Sequence, residues 1–328
     1  MTMKQLPLGV SLAVSAGLLL AATSPTAAQV VFIEEFDLDH TANWNVNLGP
    51  GNNAADLFFD YSTIGIPSAP NSTGGSTRGA KLEANFGPTT GSAGGVSISP
   101  LNGSFIGNFT LTFDMWINFN GPFPAGGSGS TQMTGAGIGT TGVQAINHQN
   151  PAGAVWFAAT GDGGNGDNPG DYRAYVSGAV LAANTGAYYA GTAANARNDL
   201  NSYYAGLGGV AAPGAQVTLF AQQSGTINTG AAGMQWHEVT VTKTNGILNW
   251  NISGRDIARV DVSSLTLSTN FLLVHSDINT TVSTDANRRS LAFGLIDNVV
   301  LTMVPEPTAM AMAAAGGIAL FFLVRRRR

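Results

Sequence analysis

Apolar and polar residues alternate along several short segments between residues 30 and 303. The clearest segment alternates two sets of residues: Leu111, Phe113, Met115, Ile117 and Phe119 with Thr110, Thr112, Asp114, Trp116 and Asn118. A period of two residues is typical of a β-strand with one apolar and one mostly polar face, and no sustained helical period is found. The pattern predicts an all-β domain. The close spacing of the segments predicts a two-sheet antiparallel sandwich of the jelly-roll type.

A hairpin signal supports this prediction. Asn245 and Gly246 separate two alternating segments, residues 236–244 and 247–252. Asn-Gly is the strongest short hairpin signal because both turn residues need positive φ. Further strands are predicted over residues 30–33, 154–159, 216–221, 271–275 and 295–301. The segment of residues 182–215 is too long to be a simple loop between two strands. We therefore expect a short helix over 193–204 or a binding loop over one sheet.

Cysteine content and charge exclude a disulfide-stabilised domain and a nucleic-acid-binding protein. The chain contains no cysteine, so its core is held by apolar burial without disulfides. Residues 29–303 contain nine basic and eighteen acidic side chains. Nucleic-acid binding needs a stripe of Lys and Arg to neutralise phosphates, so nucleic acid is excluded as a partner.

The N-terminus predicts a signal peptide over residues 1–28. Lys4 supplies the positive start, residues 8–22 are apolar but short for a membrane span, and small residues lead up to Ala28. We predict export by the secretion machinery and cleavage by signal peptidase between Ala28 and Gln29. The alternative is an uncleaved anchor or a buried helix.

The C-terminus predicts a second targeting segment. Val304, Pro305, Glu306 and Pro307 precede the uncharged residues 308–324 and four arginines at 325–328. A run of 17 uncharged residues is the lower limit for a transmembrane helix, and the arginine cluster predicts a cytoplasmic end. Residues 304–328 resemble the PEP-CTERM sorting signal. The resemblance implies recognition by an exosortase, which is a membrane-embedded transpeptidase, and removal of the helix. The alternative is an ordinary single-pass tail anchor.

Two further segments resemble laminin-G-like and concanavalin-A-like sandwiches. Residues 236–241 read Trp-His-Glu-Val-Thr-Val and lead through the hairpin to Ile-Ser-Gly-Arg at 252–255, while residues 294–301 read Gly-Leu-Ile-Asp-Asn-Val-Val-Leu. Glu35, Phe36 and Asp37, with Trp44 nearby, match the usual first strand. The resemblance implies one domain whose last strand returns beside the first. Ser253-Gly254 replaces the Asp-Gly turn that is usual in that superfamily.

Catalytic patterns are not found. Glycosidases of this fold need two carboxylates about 5–10 Å apart. Residues 29–303 contain four glutamates, of which only Glu35 has acids at the second and fourth following positions, and we interpret Glu35 and Asp37 as capping the first strand. No Gly-x-Ser-x-Gly motif links a strand to a helix, and the histidines lack metal-site spacing. We therefore predict a non-enzymatic domain, with a carbohydrate-active enzyme as the alternative.

One loop has the composition of a calcium site. Residues 162–171 contain five oxygen-bearing side chains interspersed with glycine: Asp162, Asn165, Asp167, Asn168 and Asp171. Calcium binds six to eight oxygens, and glycine lets a loop curl so that several oxygens converge. The spacing differs from that of an EF-hand. The alternative is a solvated turn, because Asp, Asn and Gly are also common turn residues.

Aromatic residues suggest a carbohydrate surface. Six aromatic residues lie in or near the long segment: Trp156, Tyr172, Tyr188, Tyr189, Tyr203 and Tyr204. Exposed rings stack on sugars, but rings at such positions also pack loops onto sheets, which we consider the better interpretation. The sequence as a whole predicts an exported cell-surface or extracellular binding or matrix protein, with polysaccharide as a partner. A purely structural envelope protein is a third alternative.

Overall fold

The computed structural model describes residues 28–87, 93–126, 131–148, 150, 153–162 and 170–304. Within these residues the chain forms fifteen β-strands and two short α-helices, α1 (Gly214–Leu219) and α2 (Arg288–Leu291). The predicted signal peptide before Ala28, the calcium-loop residues Asn165, Asp167 and Asn168, and the tail from Pro305 onward lie outside the described residues. No helix among the described residues is long and apolar enough to cross a membrane.

Eight strands form sheet 1. They are β1 (Gln29–Glu34), β3 (Ala54–Asp60), β4 (Arg78–Glu83), β6 (Phe109–Asn118), β11 (His237–Thr244), β12 (Ile247–Ile252), β13 (Arg255–Asp261) and β15 (Phe293–Met303). Their order is β13-β12-β11-β6-β15-β4-β3, and β1 pairs with the C-terminal half of β15. The last strand therefore lies beside the first, as the sequence resemblance implied.

Seven strands form sheet 2. They are β2 (Trp44–Leu48), β5 (Gly94–Pro100), β7 (Gln132–Thr140), β8 (Val155–Thr160), β9 (Tyr172–Val176), β10 (Ala179–Val180) and β14 (Asn270–Asp277). Their order is β10-β9-β8-β7-β14-β5-β2. All strand pairs in both sheets are antiparallel, which confirms the predicted two-sheet jelly-roll-like sandwich.

The main core lies between the two sheets. Phe113 and Val239 face it from sheet 1, and Phe157 and Leu273 face it from sheet 2; all four are fully buried. Burial of each such side chain stabilises the fold by about 1.5–3 kcal/mol. The alternation along β6 therefore predicts its inner face correctly.

The outer face of β6 is only half polar. Thr110 and Thr112 are partly exposed, but Trp116 is 1% exposed and packs in a second apolar cluster with Tyr61 and Leu295. Segments that follow β3 and α1 cover this part of the sheet. The outer face is therefore a covered apolar surface at one end and an open polar surface at the other.

The strand predicted over residues 216–221 is wrong. Residues 214–219 form α1 instead, with the Val217 N–H donating to the Pro213 carbonyl at 3.0 Å and the Phe220 N–H to the Gln216 carbonyl at 2.8 Å. Pro213 occupies the N-cap position, directly before the first turn of the helix. The buried Gln216 side chain donates to Asn118 Oδ1 at 3.0 Å, a tertiary contact that sequence periodicity does not report.

The long segment 182–215 contains short turns before α1 and no α-helix over residues 193–204. Three-residue 3-10 helices occur at Ala183–Thr185 and Ser202–Tyr204. Asn201 Oδ1 accepts a hydrogen bond from the Tyr203 N–H at 2.9 Å, so a side chain satisfies a backbone donor that a longer helix would need. The segment packs onto the main core through Tyr188, Tyr204 and Leu207.

The hairpin prediction at Asn245-Gly246 is confirmed. The two residues have φ of 51° and 79° and connect β11 to β12. Ser253 and Gly254 have φ of 50° and 80° between β12 and β13, the same turn geometry. Ser-Gly in place of Asp-Gly therefore leaves this turn unchanged.

Candidate functional site

The open part of the outer face of sheet 1 presents uncharged polar side chains. Strand register places Thr302, Thr110, Thr242, Asn249 and Arg259 in one row across five strands. A second row contains Thr112, Thr240 and Asn251. We call these two rows, apart from Arg259, the polar face. Its residues are partly exposed, while their strand neighbours, such as Val241 and Trp250, point into the core.

Hydrogen bonds orient the side chains of the polar face. Thr110 Oγ1 and Thr242 Oγ1 are 3.4 Å apart. Asn249 Nδ2 donates to Asp256 Oδ1 at 2.7 Å, and Asn251 Nδ2 donates to the same oxygen at 3.0 Å. One carboxylate thus fixes two amides, and the threonine hydroxyls remain able both to donate and to accept hydrogen bonds.

A cleft adjoins the polar face at the β13 edge. It has a volume of about 480 Å³, and its lining includes Leu181, Ala187, Ile247, Arg259 and Asp261. The Arg259 N–H donates to the Ala187 carbonyl at 2.8 Å, which holds the long segment against the sheet edge. The volume lies within the range of small-molecule sites, and the lining combines apolar and charged groups.

A row of three acids lies next to the polar face on the same sheet. Register places Glu238 of β11, Asp114 of β6 and Asp297 of β15 side by side, and we call them the carboxylate row. Glu238 is exposed, whereas Asp114 and Asp297 are fully buried. Sequence reasoning missed this row because it searched for acids along one strand, and these three lie on three different strands.

The two buried acids of the carboxylate row are fully hydrogen-bonded. Asp114 accepts from the backbone and side-chain nitrogens of Asn71 at 3.1 and 2.9 Å. Asp297 Oδ2 accepts from Tyr61 and Ser72 hydroxyls, both at 3.0 Å. Burial raises the pKa of Asp114 and raises that of Asp297 to about 7. The segment containing Asn71 and Ser72 therefore covers a carboxylate pair of which Asp297 holds a proton up to neutral pH.

The structure brings together two of the predicted calcium ligands and adds a third acid. Asp162 follows β8 and Asp171 precedes β9; both are buried. Asp199, from the long segment, joins them through its N–H, which donates to Asp171 Oδ2 at 2.9 Å. We call these three residues the buried acid cluster. Asp199 lies 28 residues from Asp171, so loop composition could not identify it.

The tyrosines of the long segment pack onto the sandwich. Tyr188, Tyr204, Tyr172 and Trp156 are at most 3% exposed, Tyr203 is partly buried and Tyr189 is exposed. The Tyr172 and Tyr204 rings stack with centroids 4.0 Å apart. Packing is therefore the correct interpretation for most of these rings, and Tyr189 alone of the six presents an exposed ring.

His237 is a sheet residue within the alternating segment of residues 236–244. It is buried on β11, its Nδ1 lies 2.8 Å from Ser253 Oγ, and burial lowers its pKa to about 4. The ring is therefore neutral at physiological pH. Among the described residues, no three His, Asp or Glu side chains are arranged to hold a metal ion as they stand.

No protein-family model and no curated protein matches this chain. Solved structures with a similar course of the chain include a Bacillus subtilis protein of unknown function with a galectin-like fold, at 7% identity, TM-score 0.42, covering 86% of this chain and 100% of that one. Two others are the endo-1,3-β-glucanase of Streptomyces sioyaensis, at 10% identity, TM-score 0.40, covering 87% and 99%, and the β-glucanase of Bacillus licheniformis, at 9% identity, TM-score 0.39, covering 85% and 100%. Similarity at this level carries no argument about what this chain binds or catalyses.

Proposed function

We propose that this chain is an exported, exosortase-sorted surface protein that binds a neutral polysaccharide through the polar face and the adjoining cleft, without cleaving it. The observation that carries the proposal is the row of four uncharged hydroxyl and amide side chains that leads into the cleft at Arg259. Five neighbouring strands about 4.8 Å apart span about 19 Å, enough for several sugar units of an extended chain.

The chemistry of the face favours a neutral ligand. Threonine hydroxyls and asparagine amides both donate and accept hydrogen bonds, as sugar hydroxyls do. The domain between residues 29 and 303 has twice as many acids as bases, so it repels polyanions. Arg259 is the one basic residue in the row, and Asp261 lines the same cleft.

The two ends of the chain support export and sorting. β1 begins at Gln29, so cleavage after Ala28 leaves this strand whole. β15 ends at Met303, one residue before the motif Val304, Pro305, Glu306 and Pro307. Signal peptidase, the secretion machinery and an exosortase are therefore the proposed partners in processing. The product is displayed at the cell surface or released.

The binding proposal is tested with an array of neutral polysaccharides, including cellulose, β-1,3-glucan, xylan and mannan. Thr110→Val with Thr242→Val removes two facing hydroxyls of the row that leads into the cleft and keeps the β-branched shape, so the affinity for the bound polysaccharide should fall at least tenfold. Thr266→Val, an exposed threonine between β13 and β14, is the matched control and should bind as the parent does.

Two outcomes would contradict the proposal. One is equal binding by the parent and the double variant. The other is binding that disappears in about 0.5 M NaCl, since salt screens charges and leaves neutral hydrogen-bonding contacts largely unaffected.

A carbohydrate-active enzyme is a second candidate, and the carboxylate row favours it. Glycosidases use two carboxyl groups flanking the scissile bond, one of them with a raised pKa. Asp297 has such a pKa, but Asn71 and Ser72 cover it, so a substrate would have to displace that segment. Release of reducing ends from the bound polysaccharide by the parent protein, and its loss in Asp297→Asn, would establish this function.

A further inference from the structure

The buried acid cluster lies where the end of β8 and the start of β9 meet the long segment. Asp162, Asp171 and Asp199 are 8%, 2% and 1% exposed. Asp171 is held from two sides: Thr160 Oγ1 donates to its Oδ1 at 3.1 Å, and the Asp199 N–H donates to its Oδ2 at 2.9 Å. Asn228 Nδ2 donates to Asp199 Oδ2 at 2.9 Å. Four separate parts of the chain therefore converge on these carboxylates.

Two oxygens of the cluster lack a partner. Asp162 Oδ1 and Asp199 Oδ1 are buried and accept no hydrogen bond in the described part of the chain. The ion pairs among the described residues involve other acids, at Glu34, Asp60 and Glu83. Buried charges are normally paired or coordinate metals, and buried polar atoms are normally hydrogen-bonded. Two unpartnered carboxylate oxygens in one buried cluster thus depart from this rule. A bound cation would supply the partner that both oxygens lack.

The electrostatics of the cluster point the same way. Burial raises the pKa of Asp162 well above its usual value, and the negative charge of Asp171 adds to this effect. Burial, with repulsion from Asp199, raises the pKa of Asp171 to about 7. The three carboxyl groups therefore resist ionising together unless positive charge is present, and a divalent cation is the compact source of such charge.

We propose that Asp162, Asp171 and Asp199 bind one divalent cation of the calcium type, with the unpartnered oxygens of Asp162 and Asp199 as ligands. Calcium accepts carboxylates in irregular geometry and fills its remaining positions with carbonyls and water. The three side chains do not enclose a metal position as they stand, so binding includes a rearrangement of these carboxylates. The cation then ties the long segment to the β8–β9 end of sheet 2.

The experiment compares melting temperatures of the full chain in chelator and in calcium chloride. Calcium at about 100 times its dissociation constant should raise the melting temperature of the parent by several degrees. Magnesium chloride should raise it much less, because magnesium demands tighter octahedral geometry and holds its water. Identical melting in calcium and chelator would overturn the proposal, and an equal effect of magnesium would overturn the assignment to calcium.

Asp199→Asn provides the decisive variant, since Asp199 lies outside the loop of residues 162–171. It should abolish the calcium-dependent shift. In chelator it should melt no lower than the parent, because it removes a repelling charge and keeps an oxygen for Asn228. Asp39→Asn, at an exposed acid, is the control and should keep the full shift. A calcium shift in Asp199→Asn equal to that of the parent would overturn the three-carboxylate site, and so would terbium luminescence titrations that give the two proteins equal affinity.

Discussion

At the scale of single residues, the two buried acids of the carboxylate row serve as hydrogen-bond acceptors. Asp114 and Asp297 hold the segment containing Asn71 and Ser72 against the sheet. Asn298 completes the arrangement: its N–H donates to Asp297 Oδ1 at 2.8 Å and its Nδ2 to Asp114 Oδ2 at 2.9 Å. These contacts are satisfied without a ligand, which favours a structural role for both acids.

The raised pKa of Asp297 predicts a pH dependence of stability. Its folded pKa of about 7 exceeds the unfolded value of about 3.9, so between these values the folded state holds a proton that the unfolded state has lost. This group's contribution to stability therefore falls as pH rises from about 4 to 7, by up to about 1.4 kcal/mol per pH unit, and is constant above. The acids facing Asp297 are Asp114 and, beyond it, Glu238; Tyr61 supplies a hydroxyl.

Asp297→Asn cannot ionise and should remove this slope. In urea unfolding, its free energy of unfolding relative to the parent should increase between pH 4 and 7. Asp39→Asn should not show that increase, because hydrogen bonds from Thr41 lower the pKa of the exposed Asp39 carboxyl and so reverse the sign. Parallel pH profiles of Asp297→Asn and the parent would mean that Asp297 is ionised in the folded protein at these pH values.

At the scale of elements, two hairpin turns with the same backbone geometry differ in their surroundings. A Cβ at Gly246 would lie 2.9 Å from Ser263 Cβ, whereas a Cβ at Gly254 would meet nothing within 4 Å. Both glycines have φ near 80°. The pair therefore separates backbone strain from side-chain crowding.

Gly254→Ala should destabilise the protein by about 1–2 kcal/mol, the cost of a left-handed conformation for an L-residue. Gly246→Ala should cost more, since Ser263 must also move. Chemical denaturation of both variants measures the difference. Equal losses of stability in the two variants would show that Ser263 moves aside at no measurable cost.

At the scale of the whole molecule, the first and last strands of the sandwich pair with each other in sheet 1. Gln29 pairs with Met303 in register, so both proposed processing points flank one strand pair. Removal of residues 1–28 and of the tail would leave this pair intact.

Intact-mass measurement of the protein from its native cells should give a mature form that starts at Gln29 and lacks the four C-terminal arginines. Pro305→Ala with Glu306→Ala should leave the tail uncleaved, because the motif that the exosortase would recognise is altered. Thr302→Ala, just before the motif, is the control and should be processed normally. A native protein that retains residues 325–328 would refute exosortase sorting.

The sequence by itself determined the fold class, the inner face of β6 and the Asn245-Gly246 hairpin, because strand period and turn chemistry are local properties. The tertiary structure alone decided three things. It made residues 214–219 helical, since Pro213 and the contact of Gln216 with Asn118 outweigh a short alternation. It placed Glu238, Asp114 and Asp297 side by side, because strand order and register are set by packing of the whole sheet. It brought Asp199 to Asp162 and Asp171, because burial of Tyr188, Tyr204 and Leu207 folds the long segment back over the sandwich.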